Sequence, residues 1–239
     1  MEERRSMRRL IYIPIIHMEA DLGGLADDIA QRTRAMVGLR NWQKHTEVVR
    51  LYWQAIASYW KEKKVSGFKI FQDGMPADGE VGKNIVMEVA NKGSVNYKVI
   101  ELLMKKGAVL VKTEAPELLR EEYLLNQELT KRTSFFRSLI VVVKYRWRKG
   151  KLLKERDRYI VTRIDENLAE GETGICFLGA YHQILHNLPK DIEVITLKDP
   201  QKVSEYSQKF ASGKSEDDVN SLGEYLIAPI KIMSGGNNE

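Results

Sequence analysis

Five short apolar runs alternate along the chain with longer stretches in which apolar residues recur every three or four positions. The runs cover residues 10–16, 68–71, 108–111, 175–178 and 192–197. They carry few charges, as is typical of strands buried on both faces of a sheet. Helical patterns occupy residues 42–64, 95–104 and 152–168, and another begins at Pro116. The alternation predicts a single-domain α/β fold with a mostly parallel sheet and helices on both faces.

The remaining segments set the expected boundaries. Residues 1–9 form a basic N-terminal arm, residues 10–212 the α/β domain, and residues 213–239 a linker with a possible edge strand at 225–233 and a flexible tail. Residues 73–82 contain three glycines and a proline, which favours a loop. The β-branched run at 139–143 is typical of a strand, although helical patterns flank it.

Composition narrows the class of protein. With 239 residues, 43% of them hydrophobic, the chain can bury a large core without a disulfide or metal. Cys176 is the only cysteine, which excludes an internal disulfide and fits a cytoplasmic location. No run approaches the roughly 20 apolar residues of a membrane helix, so we expect no membrane partner. The net charge of +5 permits an anionic partner, and a homo-oligomer is possible.

Ionisable side chains follow four of the predicted strands. His17, Asp73, Glu114 and His182 come at or just after the ends of the first, second, third and fourth strands. Ligands of open parallel sheets bind beyond the carboxyl ends of the strands, so we expect these side chains to meet there. Imidazole and carboxylate groups are common metal ligands, and neutral imidazole is also a general base. The alternative is that each histidine only caps a strand.

Two further residues invite a functional interpretation. Arg156 extends the apolar stripe of Ile160, Ile164 and Leu168 by one turn, which directs it toward the strand ends. There it could bind an anion or stabilise negative charge, or it could pair structurally with a carboxylate such as Glu114 or Asp157. His186 lies four residues after His182, as in helical metal pairs, but a surface position is favoured.

The segment 131–158 is strongly basic. It holds eleven basic residues against two acidic ones, with Tyr145 and Trp147 interleaved. Such a run could track a phosphate backbone, although it is more often a solvated face. Nucleic-acid binding through this segment is therefore an alternative to the solvated face.

Residues 155–182, ERDRYIVTRIDENLAEGETGICFLGAYH, resemble the late motif of the TraB/Tiki-type superfamily, which includes ChaN-like haem-binding proteins and erythromycin-esterase-like proteins. Its members pair a helix that opens with Glu-Arg-Asp/Asn with a strand that ends in Gly-x-x-His. Here Glu155, Arg156 and Asp157 match the first element, and Gly179 and His182 match the second.

Two positions depart from the pattern of that superfamily. Its early Gly-x-x-His motif keeps the histidine as His17 but has Pro14 in place of the glycine. Where the superfamily usually has a glutamate at the end of the second strand, this chain has Gln72 or Asp73.

The resemblance implies an α/β fold with one polar pocket of two histidines, an arginine and carboxylates. Our leading expectation is a metal-dependent hydrolase of a small-molecule or peptide substrate. His17, His182 and Asp73 would bind Mn, Co or Zn, and Arg156 and Glu114 would complete the catalytic set with the histidines. A protein that binds haem or another ligand without catalysis is the second hypothesis, and nucleic-acid binding through residues 131–158 is the third.

Overall fold

The computed structural model of the chain describes residues 7–17, 26–130, 135–213 and 216–230. Within these ranges five strands form one sheet in the order β3-β2-β4-β1-β5, and every neighbouring pair is parallel. The strands are β1 (Arg8–Ile15), β2 (Lys69–Gln72), β3 (Val109–Val111), β4 (Thr173–Gly179) and β5 (Ile192–Thr196). The parallel sheet confirms the predicted α/β class and places all the carboxyl ends of the strands at one edge.

Helices connect the strands. They are α1 (Ala26–Val37), α2 (Leu39–Lys61), α3 (Gly79–Asn91), α4 (Val95–Lys105), α5 (Pro116–Thr130), α6 (Phe135–Asn167), α7 (Pro200–Ser212) and α8 (Glu216–Ile227), with a short 3-10 helix at Leu185–Asn187. None of the helices within the described ranges is long and apolar enough to cross a membrane.

The two faces of the sheet bury separate cores, because successive strand residues point to opposite sides. On one face, residues of β1 such as Ile11 and Ile13 pack with apolar residues of α2, α3, α4, α7 and α8. On the other face, Leu10 and Tyr12 pack with Ile160 and neighbouring residues of α6. Helices therefore cover both faces, as the sequence predicts.

Arg8 fixes α6 at the amino edge of the sheet. Its guanidinium donates to the carboxylates of Asp165 and Asp191 at 2.7–2.9 Å and to the backbone carbonyl of Leu168 at 3.1 Å. Arg8 and Arg9 thus belong to β1, whereas residues 1–6 of the predicted arm lie outside the described residues. The C-terminal end of α6 therefore lies at the amino edge of the sheet. Earlier residues of the helix, including Arg156 and Asp157, lie toward the carboxyl edge.

The prediction of a loop over residues 73–82 is wrong in its second half, since α3 begins at Gly79. Gly79 adopts a φ of +57°, which favours glycine, at the start of the helix. A Cβ at Gly82 would lie 2.6 Å from the carbonyl oxygen of Ala77 and 2.9 Å from the side chain of Leu110, so this glycine allows α3 to pack closely on the preceding loop and on β3. The sequence predicts a loop here because it is rich in glycine. Two of these glycines, however, allow the helix to begin and to pack closely. Residues 139–143, for which a strand was possible, lie in α6.

The possible edge strand at 225–233 is also wrong for its described part, because α8 continues to Ile227. The linker predicted from residue 213 instead contains the start of this helix at Glu216. Val219, Leu222 and Leu226 recur with helical spacing, and Leu226 is fully buried against the α2 face of the sheet. The predicted tail at 231–239 lies outside the described residues.

Candidate functional site

Asp73 lies at the centre of the cluster at the carboxyl edge. Its backbone N–H donates to the carbonyl of Phe177 at 2.8 Å, which extends the pairing of β2 with β4 by one residue. One carboxylate oxygen, Oδ1, accepts a hydrogen bond from Nη2 of Arg156 at 2.7 Å. The other, Oδ2, accepts one from the backbone N–H of Gly179 at 3.0 Å. Two contacts from different elements therefore fix the orientation of this carboxylate.

Both candidate histidines approach the same oxygen of Asp73. Nε2 of His182 lies 3.4 Å from Oδ2, and Nε2 of His17 lies 3.9 Å from it. The side chain of His182 is only 4% exposed, whereas that of His17 is 41% exposed. The structure thus brings the two histidines and Asp73 together, with His17 on the solvent side.

A second carboxylate orients the ring of His182. Nδ1 of His182 lies 2.5 Å from Oδ1 of Asp157, and Oδ2 of Asp157 accepts the backbone N–H of Gln183 at 3.0 Å. The backbone N–H of His182 donates to the carbonyl of Gly179 at 3.1 Å, which closes a tight turn. With Nδ1 held by Asp157, the Nε2 atom faces Asp73.

Gly179 permits this close approach. A Cβ at this position would lie 2.9 Å from Oδ2 of Asp73 and 3.2 Å from Nε2 of His17. Such contacts are tighter than ordinary van der Waals distances, so a larger residue would displace one of these groups.

Arg156 binds carboxylates from three elements. Besides Asp73, Nε and Nη2 donate to the two oxygens of Glu114 at 3.1 and 2.5 Å, and Nη1 donates to Glu122 of α5 at 2.6 Å. The side chain of Arg156 is 6% exposed, and that of Glu114 is fully buried. The structural pairing with Glu114, one of the alternatives for Arg156, is therefore present. Arg156 and Glu114 therefore lie on the buried side of Asp73, whereas His17 lies on its solvent side.

The electrostatics of the cluster follow from burial and mutual contact. Burial alone would raise the pKa of Asp73, but His182, Arg156 and His17 outweigh it and hold that pKa well below its usual range. Burial alone would lower the pKa of His182, but the carboxylate of Asp73 and the hydrogen bond with Asp157 raise it to about 10. Burial raises the pKa of Glu114, although Arg156 opposes this. The site contains more negative charge on its carboxylates than the single positive charge of Arg156 can balance. It therefore favours a further positive charge, either a proton on His182 or a bound cation.

The donor set fits a divalent metal ion. Asp73, Glu114 and His182 offer ligand atoms that all lie within 4.8 Å of one another, a group that does not include His17. Both oxygens of Glu114 already accept from Arg156, and the half-exposed side chain of His17 would have to move closer to act as the third donor. Two ligands of a tetrahedral zinc-sized ion lie about 3.4 Å apart. The separation of 3.4 Å between Nε2 of His182 and Oδ2 of Asp73 matches this value and exceeds an ordinary hydrogen bond.

Sequence reasoning did not assign a site role to Asp157 or Glu122. The spacing of Asp157 from Ile160 and Ile164, three and seven residues, places all three on one helix face and was a usable signal. Glu122 gave no comparable signal, because only the folded pairing of α5 with α6 brings it to Arg156. His186 is exposed in the 3-10 helix, as expected.

The described part of the basic segment is partly neutralised. Arg148 forms a two-bond ion pair with Glu121 of α5 and lies 3.6 Å from Glu155, and Arg156 is in the buried cluster. These two cations are therefore engaged by carboxylates of the protein, which weakens the prediction of a continuous phosphate-binding track. Residues 131–134 lie outside the described residues.

Comparison of the chain with models of protein families, with curated proteins and with solved structures found no match. Any functional assignment must therefore come from the chemistry of the site.

Proposed function

We propose that this protein is a metal-dependent hydrolase of the TraB/Tiki type, with Asp73, His17 and His182 at its active site. One observation carries the proposal: two imidazole nitrogens from different strand ends approach a single carboxylate oxygen, at 3.4 and 3.9 Å. The second nitrogen of His182 contacts Asp157, and a carboxylate behind a histidine is the usual support of a metal-bound imidazole.

Asp73, His182 and His17 would hold the ion. Bound there, a divalent Mn, Co or Zn ion would lower the pKa of a coordinated water toward neutrality and so supply a nucleophile.

The surrounding residues prepare these groups for the reaction. Asp157 contacts Nδ1 of His182 and so orients the ring with Nε2 toward Asp73, where a bound ion would replace the second proton that the carboxylates otherwise hold on the imidazole. Arg156 and the N–H of Gly179 each fix one oxygen of Asp73. Glu114 in turn fixes Arg156, so in this proposal Arg156 and Glu114 are positioning residues rather than groups that touch the substrate.

His17 is the member of the set that a small-molecule or peptide substrate would meet first. Its side chain lies on the open side of the cluster, because it is 41% exposed while those of Asp73 and His182 are largely buried. There its Nε2 atom can complete the ligand set or accept a proton during attack on the substrate.

The test measures metal content and hydrolysis together. We expect the purified protein to contain about one divalent ion per chain and to hydrolyse a generic 4-nitrophenyl ester or a peptide. His17→Ala, at a half-exposed position, should keep the fold but lower both readouts, and His17→Ala/His182→Ala should abolish them. His186→Ala changes an exposed histidine nearby and is the matched control, for which we expect wild-type behaviour. Unchanged metal content and hydrolysis in the folded double variant would refute the proposal.

A further inference from the structure

The positive charge of the chain is concentrated in one segment, of which the proposed active site uses only Arg156 and Asp157. Residues 131–158 contain eleven of the 38 lysines and arginines but only two of the 33 acidic residues. The rest of the chain therefore has 27 basic and 31 acidic residues and is net negative. A charge asymmetry of this kind points to an anionic partner at one place on the surface.

Helix α6 carries most of this segment past the edge of the sheet. Its C-terminal half packs on the sheet through Ile160 and Ile164, and Arg8 holds it at the amino edge. Arg156 marks the level of the carboxyl edge. The part of α6 that precedes Arg156 therefore extends about 30 Å beyond this edge, beside α5.

The outer face of α6 combines an exposed tryptophan with exposed cations. Trp147, Lys151, Lys154 and Arg158 follow one another at helical spacing and are all exposed, and we call them the α6 stripe. Trp147 is 68% exposed, and Nζ of Lys151 lies 5.9 Å from the centroid of its ring. Buried residues such as Leu152 occupy the opposite face.

We propose that the α6 stripe docks on an anionic lipid surface with the helix lying along that surface. Lysine and arginine are attracted to anionic headgroups, and tryptophan favours the interface between headgroups and acyl chains. The sequence just before the stripe, FFRSLIVVV, is largely apolar, which suits the boundary of a bilayer better than a phosphate backbone in water. The expectation of no membrane partner was based on the lack of a spanning segment, and that lack does not bear on a helix that binds at the surface.

The proposal is tested by co-sedimentation of the protein with vesicles of phosphatidylcholine alone or with about one third phosphatidylglycerol. We expect binding to the anionic vesicles only, and weaker binding as NaCl rises from about 0.05 to 0.5 M. Lys151→Glu/Lys154→Glu/Arg158→Glu should lower the affinity roughly 100-fold, since each lost contact is worth about fivefold. Trp147→Ala should weaken binding at every salt concentration.

The matched control reverses three exposed lysines elsewhere. Lys83→Glu/Lys92→Glu/Lys105→Glu changes the net charge equally on α3 and α4, and each of these lysines pairs with a glutamate of its own helix, as Lys151 does. This variant should bind like the wild type. Equal binding of both vesicle types, equal loss in both triple variants, or retention of duplex DNA at salt concentrations that release the vesicles would overturn the proposal. None of these readouts depends on hydrolysis, so the proposal fails or stands separately from the proposed function.

Discussion

Two histidines of this protein, the half-buried His45 and the almost fully buried His182, have opposite charge preferences. His45 of α2 stacks on Phe210 at a centroid distance of 3.9 Å, and its Nδ1 lies 3.0 Å from the hydroxyl of Tyr206. Burial lowers its pKa to about 4. Burial acts in the same direction on His182, yet the carboxylates of Asp73 and Asp157 raise its pKa to about 10.

The difference shows what the carboxyl edge of the sheet adds to burial. An aromatic environment removes water and gives nothing to balance a charge, so His45 is neutral near pH 7. The site surrounds His182 with carboxylates that Arg156 only partly neutralises. A fold seldom concentrates buried acidic groups for stability alone, because their desolvation is costly. Groups with strongly shifted pKa values next to a solvent-accessible opening are typical of functional sites.

The largest expected effect concerns the charge balance behind His182. Arg156→Met removes the partner of the fully buried Glu114 and should lower the free energy of unfolding by about 3–5 kcal/mol at pH 7. Urea denaturation measures this change. Arg156→Met/Glu114→Gln should recover part of the loss, because the unpaired carboxylate is then gone. A single variant within about 1 kcal/mol of the wild type would mean that the cluster is far more hydrated than its burial indicates.

The next prediction concerns His45 and the pH dependence of stability. Its pKa in the folded state is lowered from 6.5 to about 4, so between these pH values the unfolded chain binds a proton that the folded protein does not. Stability should therefore fall as the pH drops through this window, by about 3 kcal/mol at pH 4. His45→Phe keeps a ring against Phe210 and should remove the upper part of this slope, above the range in which ion-paired carboxylates such as Glu47 also titrate, as measured by thermal or urea unfolding at each pH.

His182→Gln is the matched control for the slope. In the metal-free protein the pKa of His182 is raised to about 10, so the residue is protonated in both the folded and unfolded states well below its usual pKa and contributes no slope there. This variant should keep the acid-side slope of the wild type even if its overall stability differs. Loss of the slope in His182→Gln, or its persistence in His45→Phe, would contradict the assignment.

The fold and part of the site could be predicted from the sequence, because both follow from local patterns. Near-continuous apolar runs indicate buried parallel strands, and the residues after those runs, His17, Asp73 and His182, necessarily lie at one edge. The start of α3 was missed because Gly79 and Gly82 look like loop residues until Leu110 is seen to pack against the helix. Likewise Lys198, which follows β5, donates to the carbonyls of Tyr225 and Ala228 at the end of α8. No local sequence pattern predicts this contact.

The site also shows where sequence reasoning misjudged roles. For Arg156 the sequence leaves open whether it binds an anion or pairs with a carboxylate, and in the structure it pairs with Glu114 and Glu122. The helical period fixes the direction of a side chain without showing which partners other elements bring to it. Asp157 was treated as part of a motif and a possible partner of Arg156, whereas it contacts His182.

A smaller effect is expected from the carboxylate behind His182. Asp157→Asn should weaken metal binding about 10- to 100-fold, since an amide orients and polarises imidazole less than a carboxylate does. Competition with a chelator measures the affinity. The control is Asp165→Asn, the same change on the same helix at the opposite edge of the sheet, where Asp165 contacts Arg8 instead. We expect wild-type affinity there, and equal affinities in both variants would rule out a supporting role for Asp157.

The smallest expected effect on stability comes from Gly179. Its φ is not in the left-handed region, so Gly179→Ala tests only the space that a Cβ would take beside Asp73 and His17. Because Arg156 restrains Asp73, the carboxylate cannot move freely, and we expect a loss of about 1 kcal/mol in unfolding free energy. Gly174→Ala, whose Cβ would meet Leu10 and Phe71 in the apolar core, should cost a similar amount. Only Gly179→Ala should also reduce metal content and hydrolysis, because only there does the added methyl group push apart the groups proposed to act together. If both variants lose stability equally and neither changes these readouts, the close approach at Gly179 serves packing alone.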